Sequence, residues 1–283
     1  MTEAIAGIDH VLVGVRDLEA ARRAYRHLGF TLSPRGRHIG WGTANYCIML
    51  PQGYIELLGI VDPTQFCNNL DRFLETREGL LGVAYAAADA EAAARTLKAR
   101  GLALDRPSDL KRKLELAEGE VEPAFRLVHL APRTAPGVPA FICQHLTPEL
   151  VWQAPWMAHG NGAQAIDSVT AVVADPGAVA VAYGALFGEA RVSTDDAVVV
   201  ADSGCGRLRF VAPGDLGRIY PGLPGLPQSA PPWVAGLRLT VADLAATARH
   251  LDEGGVAYLR DGATLLRLAP DLACGVVLEF AQG

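Results

Sequence analysis

Four segments of this 283-residue chain repeat one plan, and the repetition constrains the fold more than any single motif. They are IDHVLVGVRDLEAARRAYRHLGF, LGVAYAAADAEAAARTLKARGL, IDSVTAVVADPGAVAVAYGALFG and AGLRLTVADLAATARHLDEGGV. Each opens with an apolar run of strand length and then reaches an aspartate: Asp17, Asp89, Asp175 and Asp243. An aspartate placed there caps a helix, because its side-chain oxygen accepts from the first free amides. Pro176 fits the first helical position, where an N–H is not needed. Each Ala-rich stretch then ends at a glycine (Gly29, Gly101, Gly188, Gly255), the residue that enters the left-handed region without steric cost. The Asp-to-Gly interval is 12 residues in three copies (17 to 29, 89 to 101, 243 to 255) and 13 in the other (175 to 188).

Further strands follow each glycine. Copy one continues FTLSPRG, HIGWGTANYCIML and YIELLGI, and copy four VAYLRD, ATLLRLAP and GVVLEFA. The unit is therefore βαβββ, and the chain is predicted to be α+β with four such modules. Modules 7–60 and 80–146 make an N-terminal unit, 1–150. Modules 165–213 and 233–283 make a C-terminal unit, 163–283. The joints fall at residues 61–79, with an extra helix around NNLDRFLETREG, at 146–165, and at the loop YPGLPGLPQSAPPW.

Composition removes several classes of function. With 25 basic and 31 acidic residues, and no Lys/Arg-rich block, nucleic acid is not an expected partner. The most apolar long segment, SVTAVVADPGAVAVAYGALFG, is broken by Asp175 and Pro176, so no membrane span is expected. The start, MTEAIAGIDH, has no basic region leading into an apolar stretch. Five cysteines without a CxxC pair argue against a disulfide framework and for a cytoplasmic protein. No GxSxG, GxxxxGK[ST] or strand–GxGxxG–helix pattern is present, so no organic cofactor is expected. The expected partner is a small-molecule substrate, and the chain is read as a monomer or homodimer.

Two residues stand out chemically. YIELLGI holds Glu56 inside an apolar strand, and IDHVLVGV holds His10 in similar surroundings. A buried carboxylate or imidazole costs free energy unless something pairs with it. Glu56 and His10 therefore pair with each other, or a third object such as a metal ion or a substrate oxygen lies between them.

The repeats resemble the vicinal oxygen chelate superfamily. IDHVLVGVRDLEAA, GRHIGWGTANY and YIELLGI look like its glyoxalase-like domain family. The resemblance implies that paired modules curl into barrels, with metal ligands on the first and last strand of each module. Seven residues before each capping aspartate, the first-strand positions are His10, Gly82, Ser168 and Gly236. The last-strand positions are Glu56, Cys143 or a neighbour, Arg209 and Glu279. The N-terminal unit is thus expected to be active and the C-terminal one degenerate and metal-free.

Two module pairings stay open. Pairing copies one and four would gather His10, Glu56 and Glu279, whereas pairing neighbours would bring His145 to His10 and Glu56. Either set suits one divalent ion of Fe, Mn, Zn, Co or Ni. The resemblance further implies that His38 and Asn45 orient a substrate beside a catalytic Glu56. Trp41, Tyr54, Gln144 and Trp156 would line the binding cleft. The implied chemistry is that of a metal-dependent lyase or isomerase acting on a small oxygen-rich substrate through an enolate-like state. A metal-free binding protein of the bleomycin-resistance kind and an extradiol-type dioxygenase are the alternatives.

Overall fold

The computed structural model describes residues 4–227 and 229–283. The first three residues of the MTEAIAGIDH start and Gln228, in the Pro/Gly-rich joint, lie outside them. The first half runs β1 (Ile8–Gly14), α1 (Leu18–His27), β2 (Gly36–His38), β3 (Thr43–Met49), β4 (Tyr54–Ile60), α2 (Leu70–Thr76), β5 (Gly79–Ala86), α3 (Ala90–Ala99), β6 (Ser108–Leu116), β7 (Gly119–Val121), β8 (Ala124–His129) and β9 (Ala140–His145). The second half runs β10 (Ala163–Val172), α4 (Pro176–Phe187), β11 (Val192–Asp195), β12 (Val198–Asp202), β13 (Arg207–Val211), α5 (Leu216–Ile219), β14 (Trp233–Val241), α6 (Leu244–Glu253), β15 (Leu259–Asp261), β16 (Leu265–Leu268) and β17 (Val277–Gln282).

The four aspartates cap the four long helices. Asp17 accepts from the Ala20 amide, Asp89 from Ala92, Asp175 from Ala178, and Asp243 from Ala245 and Ala246. The glycines that end these helices all have positive φ, as their left-handed role requires. One predicted strand is shorter than its sequence suggests. Of FTLSPRG, only Gly36 enters a sheet, because Pro34 offers no amide and the Ser33 amide is drawn to the Cys47 carbonyl.

The two halves form two mixed sheets. The first has the order β2-β3-β4-β1-β5-β9-β8-β6-β7, and β2 also pairs with β6. Eight strands therefore close into a barrel, with β7 outside the ring. The second sheet has the order β11-β12-β13-β10-β14-β17-β16-β15. Modules one and two meet along antiparallel β1 and β5, and modules three and four along β10 and β14. Neighbours pair, and copies one and four do not share a sheet. The halves nonetheless share a core: Phe30 stacks on Phe280, and the Tyr25 hydroxyl donates to the Ala273 carbonyl.

The pairing explains the glycine at the first-strand position of copy two. Gly82 lies opposite Leu12 on β1, and a Cβ there would sit 2.3 Å from the Pro139 carbonyl oxygen. No side chain of any kind fits without moving backbone. Gly82→Ala is expected to cost about 1–3 kcal/mol, read as a lower urea midpoint at unchanged slope.

Candidate active site

The closed barrel surrounds a cavity whose inner space is about 80 Å³, enough for several waters or a small substrate group. Its polar residues are His10, His38, Thr43, Glu56, Asn68, Arg112 and His129, set in walls of leucines and aromatic rings. A larger cavity of about 630 Å³ shares Leu12, Asn68, Leu81, His129 and Phe141 with it and reaches Trp233 of the second half. At the shared lip, Asn68 and Asn69 are consecutive left-handed residues just before α2, strained backbone of the kind found at ligand sites.

Glu56 is the centre. It projects from the middle of β4, 5% exposed, and its Oε1 accepts from Asn45 Nδ2 at 2.5 Å. His10 Nε2 lies 3.6 Å from Oε2, and His38 Nε2 lies 3.7 Å from Oε1. Thr43 Oγ1, 2.8 Å from His38 Nδ1, fixes that ring. Behind His10 stands Asp9, whose Oδ1 accepts from His10 Nδ1 at 2.5 Å and from His145 Nε2 at 3.1 Å. The His10 ring is stacked on Tyr54 at 4.3 Å and meets the edge of Phe141 at 5.5 Å.

Electrostatics assigns the protons. Burial pushes the Asp9 carboxyl up, but the His10 and His145 hydrogen bonds outweigh it and hold Asp9 well below the usual carboxylate range. Burial likewise opposes ionisation of Glu56, and His38, His10, Asn45 and Arg112 together reverse it, so its pKa is lowered. Burial brings His38 down to about 4, with Glu56 restoring only part, so His38 is neutral near pH 7. Asp9 is an ionised acceptor, so His10 keeps a proton on Nδ1. A neutral His10 would then turn the Nε2 lone pair toward ionised Glu56. Two acceptors 3.6 Å apart in a buried site call for a proton or a cation between them.

Arg112 supplies the cation that the site already owns. It is 3% exposed on β6, brought inside where His38 of β2 pairs with it across the barrel seam. Its Nη1 donates to Cys47 Sγ at 3.0 Å, its guanidinium stacks on Phe125, and its Nε is buried without a hydrogen-bond partner. Burial works against its charge, but Cys47, Tyr54 and Glu56 prevail and raise its pKa.

His10 Nε2 and Glu56 Oε2, 3.6 Å apart, are two potential metal donors. Asp9 on the far nitrogen is the carboxylate–histidine support that metal-ligating imidazoles usually have. Among the described residues, one group of three potential ligands, Asp9, His10 and Cys143, brings an atom each within 4.8 Å of the others. Within it, Asp9 and His10 are already hydrogen-bonded, and burial pushes the Cys143 thiol far up, keeping it protonated.

A profile of the glyoxalase-like domain family matches residues 8–187, more than half of the chain. The chain belongs to the glyoxalase-like domain family. No curated protein matches its sequence. Among solved structures, a hypothetical protein from Staphylococcus aureus is similar at 12% identity and TM-score 0.69, covering 98% of this chain and 99% of that one. A mutant 4-hydroxymandelate synthase from Streptomyces coelicolor is similar at 15% identity and TM-score 0.59, covering 98% and 92%. A xylose isomerase-like TIM barrel/4-hydroxyphenylpyruvate dioxygenase fusion protein matches at 15% identity and TM-score 0.58 over 100% of this chain and 49% of its own. At these identities the likeness shows a shared fold, that of the vicinal oxygen chelate proteins.

Within this glyoxalase-like barrel, the predicted residues divide. His10, His38, Asn45 and Glu56 come together, and Trp41 and Tyr54 line the cavity with them or, for Asn45, stand behind Glu56. Four others are corrected. Glu279 lies in the second sheet, where its oxygens take Arg267 at 2.8 Å and Arg238 at 2.9 Å, so it cannot join His10. His145 bonds Asp9 rather than facing Glu56. Gln144 accepts from the Ala90 amide at the start of α3. Trp156 packs outside the cavity in the cluster of Tyr54, Phe125 and Trp152. The register also replaces Cys143: Leu12 faces Glu56, and the matching residue Ala84 faces Phe141. An aromatic ring thus stands where copy two would offer its last-strand ligand.

Asp9, Arg112 and Phe141 were not foreseen. Among the described residues, no helix is long and apolar enough to cross a membrane.

Proposed function

We propose that the N-terminal barrel is the active half of a lyase or isomerase. It would act on a small, oxygen-rich anionic substrate by removing a proton next to a carbonyl. The observation that carries this reading is Glu56: a buried carboxylate, held ionised, with an open cavity before it and an imidazole nitrogen on either side. A substrate C–H bond breaks, its proton goes to a Glu56 oxygen, and the electron pair moves onto the carbonyl oxygen to leave an enolate. Returning the proton to a different carbon, or to the other face, completes an isomerisation. Expelling a group from the adjacent carbon completes an elimination.

The other residues have supporting parts. Asn45 holds Oε1 of Glu56, leaving Oε2 as the oxygen nearest His10. Arg112, a buried guanidinium with a free Nε, pairs with the carboxylate of the substrate. Leu58, Leu110, Phe125 and Phe141 exclude water around the reacting carbon. His10 and Glu56 would hold one divalent ion, which would supply Lewis-acid polarisation of substrate oxygens.

Elemental analysis of gently purified protein tests the metal part directly. Near-stoichiometric divalent metal is expected in the wild type, and its loss in both His10→Ala and Glu56→Ala. Metal-free wild type, even after soaking with several divalent ions, would favour the second reading, a small-molecule binding protein. Gly82 and Phe141, at two positions where ligands would otherwise stand, support that alternative.

A further inference from the structure

The second sheet repeats the geometry of the first with the central charge reversed. Leu12 faces Glu56 across β1 and β4, and Thr170 faces Arg209 in the same way across β10 and β13. Where the first half has a buried carboxylate, the second has a guanidinium. It lines a cavity of about 320 Å³, together with Arg207, Arg218, Arg238, Asp167, Asp196 and the apolar side chains Val198, Val200 and Ile219.

Among the described residues, the arginines of that cavity are paired except one. Arg207 is bound to Asp167, and Arg218 to Asp196. Arg238 is bound to Glu279, which also takes Arg267, so the one buried carboxylate here is saturated by two arginines. Asp195 is exposed on the edge strand β11. Arg209 has no carboxylate within ion-pair distance among the described residues, and its Nη1 is buried without a hydrogen-bond partner. Burial and the like charge of Arg238 both lower its pKa, the sign of a guanidinium short of an anion. Tyr220, Glu279 and Asp167 offset this only in part and from beyond ion-pair distance, and drawing a charge partly out of water without a close partner is costly.

We propose that the C-terminal cavity is a second binding site, in which Arg209 receives the phosphate or carboxylate group of a small organic anion. The planar fork of the guanidinium matches either group. The cavity volume exceeds that of a bare ion and falls in the range of small-ligand sites. Val198, Val200 and Ile219 give the ligand an apolar wall beside the charge. The C-terminal half is then a charge-inverted ligand module rather than an inert copy.

Thermal unfolding of the full chain at constant ionic strength tests this, with inorganic phosphate, sulfate and acetate each compared against chloride. Wild type is expected to show a saturable rise in Tm in the millimolar range, and the stronger of phosphate and acetate identifies the headgroup. Arg209→Met should weaken that anion by about 10- to 100-fold in Kd, and Arg209→Lys, which keeps the charge but not the fork, by an intermediate factor. Without anion, Arg209→Met should be at least as stable as wild type, since it removes a half-buried guanidinium whose Nη1 has no partner. Arg112→Met should keep the part of the response that Arg209→Met loses, because that guanidinium belongs to the other cavity. An equal response in Arg209→Met, or loss in Arg112→Met alone, would place the anion elsewhere and overturn the assignment. So would a wild type that responds to no oxyanion.

Discussion

Asp9→Ala is expected to lower stability by about 3–5 kcal/mol, measured as a fall in the urea midpoint extrapolated to water. Asp9 is buried and ionised, and it accepts from two imidazoles at once, His10 at 2.5 Å and His145 at 3.1 Å. Removing it leaves both rings in an apolar pocket without that acceptor, and His145 Nδ1 already lacks a partner. Asp9→Asn keeps the shape, can accept through only one oxygen, and should cost less. The pH dependence has a definite sign. The folded pKa of Asp9 is depressed, so its stabilisation is fully present above the unfolded value of roughly 4 and is lost as pH falls toward the folded one. His38 adds a second acid-sensitive limb. Its folded pKa of about 4 lies below its unfolded value of roughly 6.5, so the unfolded chain takes up the proton first and stability falls as pH drops through that window. Asp9→Ala should flatten the limb below about pH 4 and His38→Asn the limb above it. Superimposable profiles for wild type and either variant would show that the charge assignments are wrong.

The repeat plan was open to sequence reading because strand, cap and glycine are local signals repeated four times. The pairing of modules was not, since it depends on which apolar strand edges meet, and β1 with β5 is no better marked in the sequence than β1 with β14 would have been. The site was half legible. His10 and Glu56 stand out because a charged or titratable residue interrupts an apolar strand. Asp9 was hidden by strand alternation, which puts it on the opposite face from His10. A register irregularity between Ile8 and His10 breaks that alternation, and both side chains are buried. Arg112 was hidden by its neighbours: in SDLKRKLEL it sits between Lys111 and Lys113 and reads as part of a solvated charge run. Only closure of the barrel through β2 and β6 carries it into the cavity. Glu279 misled for the opposite reason. It repeats the apolar-strand signature of Glu56, but the arginines that neutralise it lie on β14 and β16, out of sight of any local pattern.

Glu56→Gln is the variant that bears most directly on chemistry. Turnover, or exchange of an acidic substrate proton with deuterated water followed by NMR, is expected to fall by about 10²–10⁴-fold. Glutamine keeps the volume and can still accept from Asn45, so the cavity should keep its shape. What it cannot do is take a proton from carbon. In the wild type, Glu56 has a lowered pKa, so the base stays ionised to lower pH than an ordinary glutamate, and activity is lost only as pH falls through that lowered value. Arg112→Met gives the contrasting signature, because a residue that binds the substrate anion should raise KM more than it lowers kcat. A Glu56→Gln protein that exchanges protons at the wild-type rate would remove Glu56 from the role of base. Loss confined to KM would make it a binding residue, and the barrel would then be a receptor built on an enzyme's frame.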